Sequence, residues 1–304
     1  MEEGIEIIFD RFFGYMNGNF SAEEILLSDI DKKYGTPCYV YSKNSLLSNI
    51  EKFKQAFSGG GDCLICYSIK ANSNLSLLKI MRNNGLGADV VSSGELYRAL
   101  LSGFNPEKIV FAGTGKREDE IELGVRKKIY CFNIENEEEP EILNVYGKKY
   151  KRRVLCNIRL NLDMDVDTHH YVKTSKKETK FGLDIHKAAD IIKGSKKNRY
   201  VDIKGFHLHL GSQIKVVSPY LTALNKVEGF CRELGFSPEI IDIGGGFGIP
   251  YSPSDIVKDI RDFGRQITEK TKKMGVKQLI LEPGRYIIGN TAVLLTRVLY
   301  VKKR

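Results

Sequence analysis

The 304-residue chain has no run of about 18 or more apolar residues, so no transmembrane helix is expected. Its first residues, Met1-Glu2-Glu3-Gly4, are acidic where a secretory leader is basic. A cytoplasmic protein is therefore expected. The six cysteines include one Cys-x-x-Cys pair, Cys63 and Cys66, but no second pair and no nearby histidine completes a zinc set. No metal is expected. The pair lies in an apolar run, Cys63-Leu64-Ile65-Cys66-Tyr67, and strand residues three apart face opposite sides, so these are read as buried reduced thiols. The chain is not short of charge: 47 basic and 38 acidic residues leave a formal +9. The lysines are scattered, however, and gather only in short clusters such as Lys148-Lys149-Tyr150-Lys151-Arg152-Arg153. A solvated surface explains them better than a nucleic-acid or membrane partner. With 42% hydrophobic and 28% charged residues, an ordinary globular core is within reach and disorder is excluded.

Strand patterns alternate with helical ones along the chain. Short apolar strands are expected at 63–69, 87–91, 108–111, 129–133, 153–159, 202–208, 239–243 and 278–282. Helices are expected between them, for example over Asn74 to Arg82, Gly94 to Leu101, Glu118 to Val125 and Pro219 to Leu234. Most spacings match a βα unit, and eight in series is the number that closes a parallel barrel; an open doubly wound sheet is the alternative. One connection, 160–183, is long and polar and is expected to lie on the active face. It carries His169 and His170, which as neighbours would not both bind one metal. Flanking the units are a strand-like stretch at residues 4–9, a helix near Glu23 to Tyr34, a turn at Gly35-Thr36-Pro37, and a strand over 291–301 that is expected to lack a partner.

In a parallel barrel the chemistry sits at the carboxyl ends of the strands. The first strand leads to Lys70, the second holds Asp89, and the fifth closes on Arg159. The sixth leads to His207 and His209, then Gly211-Ser212-Gln213. The seventh runs into Asp242-Ile243-Gly244-Gly245-Gly246-Phe247-Gly248, and the eighth into Glu282-Pro283-Gly284-Arg285. Each has an ordinary reading: a lone lysine after a strand is usually solvated, and three glycines can be only a turn. The glycines lack the spacing of a dinucleotide fingerprint or a phosphate loop. Yet bare backbone N–H groups form a nest for a phosphate. A lysine amine can form a Schiff base, and a carboxylate can hold a pyridine nitrogen protonated. Together these are what pyridoxal phosphate asks of a protein.

At these residues the chain resembles the fold-type III pyridoxal-phosphate decarboxylases, and among them the diaminopimelate decarboxylases. The likeness is carried by Gly35 to Tyr41, Tyr67 to Asn72, Gly87 to Leu96, Gly205 to Ile214, Asp242 to Gly248 and Glu282 to Arg285, in order. It implies an alanine racemase-like (β/α)8 TIM barrel over 35–290. Residues 1–34 would belong to a second β domain, and 291–304 would be that domain's first strand, leaving only remnants of it. It implies pyridoxal 5'-phosphate as cofactor and decarboxylation of meso-2,6-diaminopimelate to L-lysine. A small amino acid is then the substrate, with neither nucleic acid nor membrane as partner. Lys70 would carry the cofactor and His209 would stack on its ring. Ser212, Gly244, Gly245 and Gly246 would bind the phosphate. Glu282 would pair with the pyridine nitrogen, Asp89 and Arg159 would tune the cofactor, and Arg285 would hold a substrate carboxylate. The family continues beyond the barrel into a domain with a Cys-Glu-Ser motif absent here, and forms homodimers. The shorter end is expected to impair turnover, substrate grip and that dimer, and to leave Ile5, Ile7, Val293, Leu295 and Val298 without a core. Thr174-Ser175 and Glu135-Asn136 are mild departures from the family pattern. A barrel that holds the cofactor without decarboxylating, or a related amino-acid decarboxylase, is the alternative.

Overall fold

The computed structural model describes residues 12–164 and 181–303. The chain opens with a three-stranded antiparallel meander, β1 (Phe13–Met16), β2 (Asn19–Ala22) and β3 (Ile25–Leu26), followed by α1 (Leu27–Tyr34). The helix begins four residues later than its apolar pattern suggests. Glu23 adopts φ 56°, and its carboxylate accepts hydrogen bonds from the Ser42 hydroxyl (2.7 Å) and the Asn44 N–H (2.9 Å). It thereby satisfies free donors where α2 (Lys43–Phe57) begins, after β4 (Cys38–Tyr41).

The eight expected barrel strands are all present. β5 (Asp62–Ser68), β6 (Gly87–Val90), β7 (Ile109–Phe111), β8 (Cys131–Ile134), β9 (Val154–Arg159), β10 (Val201–His207), β11 (Ile240–Asp242) and β12 (Gln278–Leu281) pair in parallel, and β12 returns to β5 to close the ring. The helices α3 (Leu75–Asn83), α4 (Ser93–Leu101), α5 (Glu118–Lys127), α6 (Glu139–Lys149), α7 (Ile185–Gly194), α8 (Ser218–Leu234) and α9 (Ile260–Lys273) cover it. Several start on a side-chain cap: Ser42 for α2, Asn74 for α3, Ser92 for α4, Asp184 for α7 and Asp259 for α9.

Alternation along β5 sorts its side chains. Cys63 packs with the outer core shared with the helices, and Cys66 with Val110, Cys131, Ile240 and Ile280 inside the barrel. The two thiols therefore face opposite sides, and all six cysteines are free. The ring is tight enough that a Cβ on Gly205 would stand 1.7 Å from the Ile240 carbonyl oxygen.

Outside the ring, β13 (Ala292–Leu295) follows the short α10 (Arg285–Ile288) and pairs antiparallel with β4. This corrects the expectation that the last strand has no partner. Val293 and Leu295 pack against Phe13, Ala22 and Leu27, a small apolar cluster between the meander and the β4–β13 pair. The strand is also shorter than 291–301, and Val298 to Val301 are exposed, Tyr300 by 93%. β4 pairs with β13 and not with the ring, so the barrel itself begins after residue 35. Residues 4–9, His169, His170 and Thr174-Ser175 lie outside the described residues. The basic cluster is paired surface: Lys149 bonds Glu122, Arg153 bonds Asp202, and Arg152 donates to the Val125 and Ile129 carbonyls. No helix among the described residues is long and apolar enough to cross a membrane.

Candidate active site

The carboxyl ends of the strands meet at a cavity of about 390 Å3 whose walls include Lys70, Arg159, Phe181, His207, His209 and Glu282. Lys70 sits on the turn just after β5 and donates from Nζ to Asp89 Oδ2 at 3.0 Å. Ser68 Oγ lies 2.7 Å from the same oxygen. Burial alone would lower the Lys70 pKa, but the Asp89 and Glu282 carboxylates outweigh it and hold the ammonium above its usual range. Asp89 is completely buried, and its Oδ1 has no hydrogen-bond partner among the described residues. A buried carboxylate oxygen left without a partner is expected where a further donor belongs.

Glu282, 1% exposed, receives His207 Nε2 at 3.2 Å and Asn133 Nδ2 at 3.3 Å. The same Asn133 amide reaches Asp242 Oδ2 at 3.2 Å. His207, Asp242 and Glu282 bring candidate metal ligands within 4.8 Å of one another. The Asn133 N–H groups aimed at both carboxylates would repel a cation, so we read a hydrogen-bonded set and not a metal centre. Both histidines are pushed down to about 3, first by burial, then by nearby positive charge: Arg159 first for His207, Lys70 first for His209. His209 is thus a neutral flat ring on the cavity wall.

The glycine turn is pinned from three sides. Gly244 N–H donates to Asp242 Oδ1 at 2.9 Å, and the Tyr220 hydroxyl donates to the Gly245 carbonyl at 2.7 Å. Phe247 stacks on Tyr220, with centroids 5.3 Å apart. Gly244 and Gly246 take φ of 68° and 94°, and a Cβ on either would fall within 2.4 Å of a carbonyl oxygen. The N–H of Gly244 is therefore engaged, contrary to its expected share in phosphate binding. Those of Gly245 and Gly246 have no acceptor among the described residues. His209 adjoins this turn, its Nδ1 3.1 Å from where a Gly244 Cβ would stand.

Two expected residues stand elsewhere. Arg285 is exposed, does not line the cavity, and donates to the Tyr251 hydroxyl with its guanidinium 5.7 Å from that ring. Ser212 is exposed beside Gly211, whose carbonyl faces Gly246. Sequence reading also missed groups. Arg159 forms a pair with Glu135 at 2.8 Å, and Glu135 accepts the Gly113 N–H at 2.6 Å. Lys116 is buried against Glu139 at 2.8 Å and donates to the Gly113 carbonyl. Gly113, Thr114 and Gly115 line the cavity. Lys116 and the 113–115 turn lie just beyond the third strand, and Glu135 just beyond the fourth. The same strand-end reasoning that found Lys70 and Glu282 applies to those two strands and points to these residues.

The donor set fits pyridoxal phosphate: an amine at Lys70, two free N–H groups in a glycine turn, a carboxylate at Glu282, a flat neutral ring at His209 and an unpartnered acceptor on Asp89. Residues 43–289 match the family described as "Pyridoxal-dependent decarboxylase, pyridoxal binding domain". The chain belongs to that family. It is 39% identical over 302 residues to the diaminopimelate decarboxylase of Aquifex aeolicus, covering 97% of this chain and 70% of the relative. It is 37% identical over 301 residues to that of Archaeoglobus fulgidus, covering 96% and 70%. The chain therefore spans about 70% of the length of these curated relatives. Among solved structures it superposes on M. jannaschii diaminopimelate decarboxylase in co-complex with L-lysine, with a TM-score of 0.89 and 32% identity over 97% of this chain and 71% of that one. The lysine/ornithine decarboxylase of Vibrio vulnificus, at 23% identity and a TM-score of 0.74 over 90% of this chain and 70% of that one, shares the fold.

Proposed function

We propose that this pyridoxal-dependent decarboxylase removes CO2 from meso-2,6-diaminopimelate to give L-lysine. The observation that carries the site reading is the lining of one cavity by Lys70, His209 and Glu282, with Asp89 bonded to Lys70 and, beside His209, a glycine turn with two N–H groups that have no acceptor among the described residues. The names of the relatives support the substrate, and the L-lysine complex of the M. jannaschii enzyme supports the product. Pyridoxal phosphate, when bound, supplies an electron sink for the carbanion left as CO2 departs. Lys70 is the amine that would engage the cofactor, and Asp89 Oδ2, 3.0 Å away, holds and orients it. Glu282, which accepts from Asn133 and His207, would hold a proton on the ring nitrogen. His209 presents a neutral face to the ring, and Gly245 and Gly246 receive the phosphate. Arg159, fixed by Glu135, sets a positive charge at the cavity wall, with its guanidinium 5.2 Å from the Phe181 ring. We assign cofactor binding to the barrel and leave Arg285 and Ser212 to the outer rim, where Arg285 can meet a carboxylate by exchanging its Tyr251 contact.

The deciding experiment adds pyridoxal phosphate to the purified chain, reduces with borohydride and maps the modified peptide. Fixation on the peptide containing Lys70, together with CO2 release from meso-diaminopimelate and formation of lysine, is expected. Fixation on another lysine sinks the site assignment. CO2 release from ornithine or lysine in preference to diaminopimelate sinks the substrate assignment.

A further inference from the structure

We propose that Asp242 is a positioning residue that works as a neutral carboxylic acid, tying the glycine turn to Glu282. This rests on the reading of the cavity as a pyridoxal phosphate centre.

The geometry comes first. Asp242, the last residue of β11, has no exposed surface. Its Oδ1 accepts the Gly244 N–H at 2.9 Å, so the turn expected to hold the phosphate starts from this side chain. Its Oδ2 accepts Asn133 Nδ2 at 3.2 Å, and that amide also touches Glu282 at 3.3 Å. Asp242 and Glu282 thus share one donor at the buried centre of the barrel. Two ionised carboxylates so placed, shielded from bulk solvent, repel strongly, and one of them keeps a proton.

The neighbours decide which. The nearby cations are engaged: Lys70 with Asp89 at 3.0 Å and Arg159 with Glu135 at 2.8 Å. Buried His207 is neutral. Its Nδ1 has no partner among the described residues, and a bare buried acceptor costs less than a bare buried N–H. Its proton is therefore on Nε2, donating to Glu282 Oε2 at 3.2 Å. Glu282 receives two donors and Asp242 shares one of them, so the charge settles on Glu282 and the proton on Asp242. Burial and then the Glu282 charge both push the Asp242 carboxyl well above its usual range. The thiols of Cys66 and Cys131, one layer below, are raised above all by burial and face Asp242 as neutral groups. The arrangement leaves a single negative charge at the ring-nitrogen position and a fixed origin for the phosphate turn.

The test uses the full chain as wild type, D242N, D242A and E282Q. Asparagine keeps an acceptor for the Gly244 N–H and carries no charge. In cofactor-free protein at neutral pH, the infrared carbonyl band of a protonated carboxylic acid should be present, shift when aspartate but not glutamate is 13C-labelled, and vanish in D242N; E282Q, which removes the neighbouring charge, should weaken or abolish it. Pyridoxal phosphate titrations should show D242N within about threefold of wild type, and D242A weaker by about tenfold or more. No band in the wild type, a band that shifts with labelled glutamate instead of aspartate, or D242N as weak as D242A overturns the proposal. The infrared result alone decides if D242A does not fold. Failure of the wild type to fix cofactor on Lys70 would instead overturn the site reading, and it is measured separately from the band.

Discussion

Two halves of the same barrel interior are made by the same strands. In the lower half, Cys66, Val110, Cys131, Ile240 and Ile280 form a dry plug. Two residues further along, on the same face, stand Ser68, Asn133, Asp242 and Glu282, equally buried and almost entirely polar. A step of about 7 Å along a strand separates them. The lower half needs only shape. The upper half needs every donor matched to an acceptor, because a buried polar group without a partner is costly. Its exceptions, Asp89 Oδ1, Asn157 Oδ1 and His207 Nδ1, are therefore informative, whereas the plug has little to report. The comparison teaches that function here occupies one layer of a uniform scaffold.

The sharpest break of that comparison is Lys70→Ala. Borohydride fixation should disappear and CO2 release should fall on the order of 10³-fold or more, with the melting temperature nearly unchanged. Ile280→Ala, one step below Glu282, should do the reverse. It should cost about 2–5 kcal/mol of stability by chemical denaturation, while the folded fraction still fixes cofactor on Lys70. If it abolished fixation in folded protein, the two halves would not be separable. Glu282→Gln removes the anion at the ring-nitrogen position, and turnover should drop by about 2–4 kcal/mol in barrier terms, read from kcat. Unchanged kcat would remove Glu282 from that role.

Acid should distinguish the halves as well. His207 and His209 titrate near 3 when folded and near the ordinary histidine value of about 6.5 when unfolded. The unfolded chain therefore binds protons that the folded one refuses as pH falls through this window. Stability is full above about 6.5 and is lost progressively toward about 3, on the order of a few kcal/mol. His207→Asn and His209→Asn should each flatten that slope in denaturation measured across the window. The smallest effect is expected far from both layers. Lys149→Ala breaks an exposed pair with Glu122 and should leave melting temperature and activity unchanged.

Much of the polar layer was legible in sequence. Lys70, Asp89, Arg159, His209, Glu282 and the Gly244–Gly246 turn sit where strand-end reading put them, because a parallel barrel leaves its loops on one face and alternation is local. Asn133 and Glu135 were not singled out as site residues, although they stand at and just beyond the end of a strand expected over 129–133. A neutral amide and an acid read as a family variation carry no chemistry until their partners Asp242, Glu282 and Arg159 are known. Tyr220 is a different case: it lies on a helix, at a helical position indistinguishable from core, and only packing brings its hydroxyl to Gly245.

The sequence by itself determined the period, the order and the number of the strands, and so the barrel. Each of those comes from near neighbours in the chain. The tertiary structure alone decided the partners. It placed Asn133 between Asp242 and Glu282, took Gly244 N–H out of the free set, moved Arg285 to the rim beside Tyr251, and gave β13 a partner in β4. These contacts join residues up to about 250 positions apart, and no local pattern in the chain encodes which of many polar groups will meet once the ring has closed.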